Sequence, residues 1–241
     1  MNEPIRIVCA WRPSRDFPTS SVERLFKGCR RAAGSREIEF HCLTNSPESL
    51  SEPIVAHLTE RPNWIYYWSK IELFRKGLFE GPVIYFDLDT IVRNLDNLPD
   101  FSAPGMWMIR DVRHPKKWAS GVMAWNTDAA APFYDDFQRW KHERHFPGVR
   151  RPKRNRDGGG SKEFPHKGDQ QYMALRREAL GMKFNALQDV WSICSYKDAI
   201  RKRKRNPESF DIICFHGAPR PQDAPTPWVK RYLASLDAEK I

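Results

Sequence analysis

Asp87-Leu88-Asp89 sets two carboxylates one residue apart, directly after the apolar run Val83-Ile84-Tyr85-Phe86. Side chains alternate between the faces of a strand, so a strand running through both aspartates points them the same way. They would then project together from its C-terminal edge, where open α/β sheets bind ligands. Carboxylates held that close repel each other unless a cation lies between them. The spacing therefore predicts a divalent metal site, and a hard cation so placed commonly holds a phosphorylated substrate. The plain alternative is a pair of acidic residues capping the loop after a strand.

Three further segments carry groups of the right kind. Ser120-Gly121-Val122-Met123-Ala124-Trp125-Asn126 reads as a small-residue turn entering a short buried strand. Gly168-Asp169-Gln170-Gln171-Tyr172-Met173 reads as a helix start with acidic and amide side chains in its first turn, where such residues also cap helices. Ile212-Ile213-Cys214-Phe215 is a second buried strand, followed by His216, Gly217 and, after Ala218-Pro219, the cation Arg220.

Taken in order with the Asp-Leu-Asp strand, these segments resemble the donor-site motifs of GT-A glycosyltransferases. The type is family 8, which includes glycogenin and bacterial lipooligosaccharide galactosyltransferases. The likeness runs from Ile5 to about Trp228. It implies an α/β fold with a mainly parallel central sheet and helices on both faces. It also implies transfer of a sugar from a nucleotide-sugar donor, a UDP-sugar above all, with retention of configuration, to a glycan or glycoconjugate acceptor.

On that resemblance Asp87, Asp89 and His216 hold the metal, and Asp87 also touches the nucleoside ribose. An imidazole ligand favours Mn²⁺ over Mg²⁺, which prefers oxygen and water. The metal would stabilise charge on the departing diphosphate as a Lewis acid. Arg220 stands where the family usually has a diphosphate-gripping lysine; guanidinium makes forked bonds to phosphate and keeps its charge. Gly217 would let the backbone approach the phosphates. Lys70, in Trp68-Ser69-Lys70-Ile71, lies where the family places another basic residue near the donor. Cys9, Ala10 and Trp11 end the first strand, where this fold seats the base, and Trp11 would stack on it. Asp169 matches a carboxylate that bonds donor-sugar hydroxyls, and Gln170 an amide beneath the anomeric carbon. Asp111 matches another sugar-binding carboxylate. Ser120 stands where the family commonly has asparagine. An amide is a poor nucleophile, so the expected route is front-face attack by the acceptor hydroxyl with the leaving phosphate as base.

The elements that must position these residues alternate. Ile5–Ala10 is a first strand, and Ser20 or Ser21 caps a helix through about Ala33, ended by Gly34. Ile38–Leu43 is a second strand. Trp68, Ile71, Phe74 or Arg75, and Leu78 give a rough 3.6-residue period, predicting a helix over Trp64–Phe79 that faces the sheet. Strands follow near Met106–Arg110 and Val122–Trp125, then a helix from about Ala130 to His142. Such alternation argues for a mainly parallel sheet in a single domain spanning 1–241. Residues 144–167, rich in Arg, Lys, Pro and Gly, suit a lid or binding loop. With Arg113–Trp118 they are the candidates for the acceptor surface.

Composition fits an α/β protein without a membrane span. No run approaches the roughly 18 apolar residues that cross a bilayer, and Met1–Ala10 lacks an adequate signal-peptide core. The five cysteines are scattered with no Cys-x-x-Cys pair, which predicts reduced thiols in a cytoplasmic protein. Net charge is +10, and Arg201-Lys202-Arg203-Lys204-Arg205 is a dense basic run. With the basic residues of 150–156, it suits peripheral contact with an anionic inner membrane face, or a lipid-linked or phosphorylated acceptor.

Two other classes compete. Asp87-Leu88-Asp89-Thr90 also resembles the nucleophile loop of haloacid-dehalogenase phosphatases, but Ile91 stands where that family has Thr or Val. The basic run would suit a nucleic-acid-binding protein, yet no recognised module for specific binding is visible. His142-Glu143-Arg144-His145 spaces its histidines three apart rather than the four of a zinc-protease helix.

Overall fold

The computed structural model describes residues 4–62, 64, 66–112, 114–143 and 168–239. Among them are strands β1 (Ile5–Trp11), β2 (Ile38–Thr44), β3 (Ile54–Leu58), β4 (Pro82–Phe86), β5 (Thr90–Val92), β6 (Met106–Arg110), β7 (Trp118–Asn126), β8 (Phe184–Ala186), β9 (Ile193–Ser195) and β10 (Ile212–Cys214). The helices are α1 (Thr19–Ala32), α2 (Ala131–Glu143), α3 (Asp169–Arg176) and α4 (Pro227–Asp237). A seven-stranded sheet runs β3-β2-β1-β4-β7-β6-β8, and a three-stranded sheet runs β5-β10-β9. The larger sheet is mainly parallel, as expected; β7 alone runs against its neighbours β4 and β6.

Alternation along the strands builds two cores, one on each face of the sheet. Ile5, Ile7, Cys9 and Trp11 of β1 and Ile84 and Phe86 of β4 pack beneath α1 with Val22, Leu25 and Phe26. On the other face Val8, Val83 and Tyr85 meet Phe133 and Phe137 of α2 and Tyr172 and Met173 of α3. Helices therefore cover both faces, and the near-continuous apolar strands reflect burial on both sides.

Three local expectations need correction. Residues predicted as a helix over Trp64–Phe79 instead form a 3-10 segment, Tyr66–Phe74. Trp68, Ile71 and Phe74, all buried, recur every third residue, which is the 3-10 repeat. The segment is anchored by the fully buried Glu72, whose carboxylate accepts from the Thr59 hydroxyl and the Glu60 amide. Helix α1 begins at Thr19 after Pro18, and neither Ser20 nor Ser21 caps it. Its end agrees with the sequence: Gly34 takes φ +63° and its N–H bonds to the Arg31 carbonyl. The β4 strand stops at Phe86, so Asp87–Thr90 is a turn, closed by Thr90 N–H donating to the Asp87 carbonyl at 3.1 Å. The expected lid over 144–167, and the 150–156 basic segment within it, lie outside the described residues.

A histidine pair links β2 to β3. His41 Nδ1 and His57 Nε2 are 2.9 Å apart, and both rings meet Phe79 edge-on. Burial first, then the His57 ring, lowers His41 to about 4, against the pull of Glu39. Burial and Arg75 also lower His57. Unfolded histidines take up protons near pH 6.5, well before the folded His41 does, so protons favour the unfolded chain. The pair's contribution is intact above about pH 6.5 and is lost progressively as pH falls toward the folded value. Urea unfolding should thus show stability dropping between about pH 7 and about pH 5, with a shallower drop in His41→Gln/His57→Gln. Parallel pH profiles for the two proteins would show the pair to be neutral in this respect.

Candidate active site

The site forms where β4 ends. Asp87, the first residue beyond the strand, donates its backbone N–H to the Gly121 carbonyl at 2.8 Å. Beside it β7 bulges: Met108 pairs with Met123 but Ile109 with Ala119, leaving Ser120, Gly121 and Val122 opposite the shift. A bulge re-aims side chains, and here it brings Ser120 to the cleft. A side chain at 121 would begin 3.3 Å from Asp87 Oδ2, so glycine leaves that oxygen room.

Lys70 sits at the centre, on the 3-10 segment and nearly inaccessible. Its Nζ lies 2.9 Å from Asp87 Oδ1 and 3.2 Å from Asp169 Oδ2, and it donates to the Ser120 carbonyl at 3.3 Å. Ser120 Oγ donates to Asp169 Oδ2 at 2.5 Å. Burial opposes the lysine's charge, but Asp169 and Asp87 outweigh it and hold the ammonium above the usual lysine value. Asp169 opens α3, yet it does not cap that helix; its carboxylate is spent on Lys70 and Ser120.

Asp89 is brought to a different partner by the small sheet. Strand β10 pairs antiparallel with β5, Cys214 opposite Thr90, and the pairing continues as Phe215 N–H bonds to the Asp89 carbonyl at 3.1 Å. The chain then turns through His216 and Gly217, at φ +53° and +85°. Gly217 N–H donates to Asp89 Oδ2 at 3.1 Å, and Arg220 Nη1 bonds the same oxygen. Burial and the charge of Asp87 hold Asp89 above the usual carboxylate range, against Gly217, Arg220 and His216. Burial holds His216 below the usual histidine value, against Asp89, Asp87 and Asp111. A neutral imidazole is the form that binds metal.

The donor set of Asp87, Asp89 and His216 suits a divalent cation in kind. Asp87 Oδ2 and Asp89 Oδ1 accept no hydrogen bond among the described residues. The present arrangement is not a closed cage. Among the described residues no three His, Cys, Asp or Glu side chains are grouped to hold a metal, because each aspartate faces a cation of the chain.

The sequence-predicted residues divide accordingly. Asp87, Lys70, Ser120 and Asp169 form one cluster, and Asp89, Gly217 and Arg220 another beside it. Asp111 is near enough to act electrostatically on His216; its Oδ1 accepts from His114 N–H at 3.0 Å. Gln170 is exposed. Cys9 and Trp11 do not line a base pocket: both are buried in the core beneath α1, and Trp11 Nε1 donates to the Phe17 carbonyl at 2.9 Å. Ala10 faces the other way and is partly accessible.

Sequence reasoning missed four contributors. Tyr85 donates its hydroxyl to Asp87 Oδ1 at 2.6 Å, and its place two residues earlier on the same strand face was a usable signal. Phe17 lies under the Arg220 guanidinium at 4.3 Å, with Asp16 Oδ2 3.9 Å from Nη2. Lys197 Nζ donates to the His216 carbonyl at 2.7 Å. None of these last three had a local signal. A cavity of about 450 Å³ lined by Arg6, Glu39 and Pro82 lies at the opposite, N-terminal ends of the strands, away from the carboxylates.

A mainly parallel sheet covered on both faces by helices, with buried carboxylates at its strand ends, is an α/β architecture. Solved structures agree. The galactosyltransferase LgtC, in complex with donor and acceptor sugar analogs, superposes with a TM-score of 0.63 over 98% of this chain and 97% of its own, at 13% identity. The glycosyltransferase GlyE of Streptococcus pneumoniae TIGR4 gives 0.64 at 11% identity, covering 99% of this chain and 61% of that one. The chain has the GT-A glycosyltransferase fold. No protein-family model and no curated protein matches it by sequence.

The Lys70 cluster yields a stability test. Removing one partner of a buried ionic group costs about 3–5 kcal/mol, because the other charges are left uncompensated. Lys70→Met should destabilise the fold by about that amount. Adding Asp169→Leu should cost less than the sum of the two single changes, since one stranded carboxylate is gone. Additive effects in denaturant titrations would mean that the two charges are not coupled.

Proposed function

We propose that this protein transfers a sugar from a nucleotide-sugar donor, a UDP-sugar, to a glycan or glycoconjugate acceptor with retention of configuration. The observation that carries the reading is the convergence of Asp87, Lys70, Ser120 and Asp169 at the strand ends of a glycosyltransferase fold, with Asp89, His216 and Arg220 alongside. LgtC is described with donor and acceptor sugar analogs bound, which favours ligands of the same two kinds here.

In this reading each residue has a chemical task. Asp87, Asp89 and His216 would hold Mn²⁺, which supplies Lewis-acid stabilisation of charge on the departing diphosphate. Arg220 would bond the phosphate oxygens in a fork. Asp169, fixed by Ser120 and Lys70, would accept from donor-sugar hydroxyls and so orient the anomeric carbon. Lys70 keeps Asp87 and Asp169 close despite their like charge. Gln170, exposed at the start of α3, would lie beneath the anomeric carbon. The acceptor hydroxyl would attack from the face the diphosphate leaves, passing its proton to the leaving phosphate oxygen. A phosphatase reading asks an Asp to attack phosphorus, whereas Asp87 Oδ1 is bonded to Tyr85 and Lys70.

A thermal-shift panel of nucleotide sugars with and without Mn²⁺ tests the reading. A cognate donor at a hundredfold excess over Kd stabilises by about 2.7 kcal/mol. The shift should need both donor and Mn²⁺ and vanish in Asp89→Asn, whose neutral amide is a poor ligand for a hard cation. Calorimetry finding wild-type UDP-sugar affinity in folded Asp89→Asn would reject the metal assignment.

The acceptor or its surroundings would be anionic. Residues 201–206 are exposed, and this stretch carries Arg201, Lys202, Arg203, Lys204 and Arg205. Each basic residue near an anionic membrane contributes on the order of 1 kcal/mol, which salt screens. No helix of the described residues is long and apolar enough to cross a membrane, so attachment would be peripheral. Sedimentation with phosphatidylserine vesicles should show salt-sensitive binding, lost when Arg201–Arg205 are neutralised. Absence of binding at low salt would leave a soluble anionic acceptor as the run's partner.

A further inference from the structure

We infer that Tyr67 is a stacking platform for a pyranose ring at the mouth of the site. This rests on the donor-site reading above and adds to it a sugar contact made by an aromatic face.

The backbone sets the position. Residues three apart eclipse in a 3-10 segment, so Tyr67 stands one turn ahead of Lys70 on the same face of Tyr66–Phe74. Neighbouring residues at the start of α3 meet the two side chains in turn. Asp169 lies 3.2 Å from Lys70, and a side chain at Gly168 would begin 3.6 Å from Tyr67 Cε2 and 3.7 Å from Cδ2. Depth changes sharply between the two pairs. Lys70 and Asp169 are 6% and 5% exposed, whereas Tyr67 is 45% exposed. The ring is therefore the outer layer over the cluster that holds Asp169. Burial first, and then the Asp169 charge, hold its hydroxyl above the usual tyrosine value, in keeping with that position.

Among the described side chains Tyr67 is the one aromatic ring left exposed. It is nonetheless packed in place. The ring lies against Gly168, and the Trp68 ring is 5.3 Å away, itself stacked on Phe137 of α2 at 5.0 Å. A tyrosine offers a large, rigid, amphipathic contact area at low cost in conformational entropy. Its π-face is negative and suits the weakly positive C–H groups on the apolar face of a pyranose. A sugar stacked there keeps its rim of hydroxyls for polar partners, and the next group along the wall is the Asp169 carboxylate. An aromatic face beside a carboxylate matches both surfaces of one sugar. A phosphate would be repelled by the carboxylate, and an apolar ligand would leave it without a donor.

The experiment measures binding to the full chain in buffer containing Mn²⁺. UDP and the UDP derivatives of glucose, galactose, N-acetylglucosamine and N-acetylgalactosamine are titrated by calorimetry. Methyl glycosides of the same sugars are titrated by saturation-transfer NMR with UDP present. Tyr67→Ala should bind UDP within about twofold of wild type yet bind the preferred sugar about tenfold more weakly. Tyr67→Phe keeps the face and loses only the hydroxyl, so it should stay within about threefold of wild type. If Tyr67→Ala does not fold, Tyr67→Leu, apolar but without a ring face, should show the same loss. A loss confined to UDP-sugars assigns the platform to the donor sugar, and a loss confined to methyl glycosides assigns it to the acceptor. Wild-type affinity for every sugar in Tyr67→Ala, or Tyr67→Phe as impaired as Tyr67→Ala, overturns the platform and leaves the donor-site reading standing. An equal loss of UDP affinity in Tyr67→Ala overturns it too, as does a wild type that gains nothing from any sugar. A wild type that binds neither UDP nor any UDP-sugar overturns the donor-site reading instead.

Discussion

Like charge is crowded at one end of the sheet, and the rest of the site is arranged to contain it. Asp87, Asp89 and Asp169 converge there, two of them nearly inaccessible. Buried carboxylates at close range would drive one another toward the neutral form without compensation. Lys70 compensates Asp87 and Asp169 together, and Arg220 with the Gly217 N–H compensates Asp89. Burial makes the Lys70 arrangement costly, yet its two carboxylates keep the ammonium charged. Carboxylates balanced this way by buried cations carry a desolvation cost that well-packed apolar groups in their place would not.

The two sheets divide the labour. The larger one, packed on both faces, supplies the rigid edge from which Asp87 and Ser120 emerge. The smaller one exists to bring β10 beside β5, and through that pairing His216–Arg220 reaches Asp89. Precision at the site therefore comes from packed strands, while its contacting groups lie on the turns Asp87–Thr90 and His216–Arg220 and on the β7 bulge at Ser120–Val122. Groups on short irregular segments are accurately placed when a packed scaffold holds both ends.

Much of the fold was legible because it follows from periodicity. The apolar runs at Ile5, Ile38, Val83, Met106 and Ile212 are strands, and α1 ends at Ala32, within a residue of expectation. The errors share a cause. Trp68, Ile71 and Phe74 suit a three-residue repeat as well as an α-helical one, and enclosure by α2 and α3 decided between them. Trp11 and Cys9 sit at the strand end, where a base could bind, but their alternation phase turns them toward α1. The same phase turned Ala10 to the opposite core and set Tyr85 beside Asp87.

By itself the sequence determined which chemical groups exist and which apolar runs become strands beside them: two aspartates after one run, a His-Gly-x-x-Arg after another, an Asp at a helix start. Those are local properties, set by side-chain type and spacing along a few residues. Tertiary structure decided which charge answers which. Lys70 lies 17 residues from Asp87 in the chain, and Arg220 lies 131 from Asp89, yet each pair is in contact. Nothing in either segment names its partner. The choice follows from strand order, from the register of β10 on β5 and from the bulge in β7, because Coulomb attraction between buried groups depends on distance in space and not along the chain.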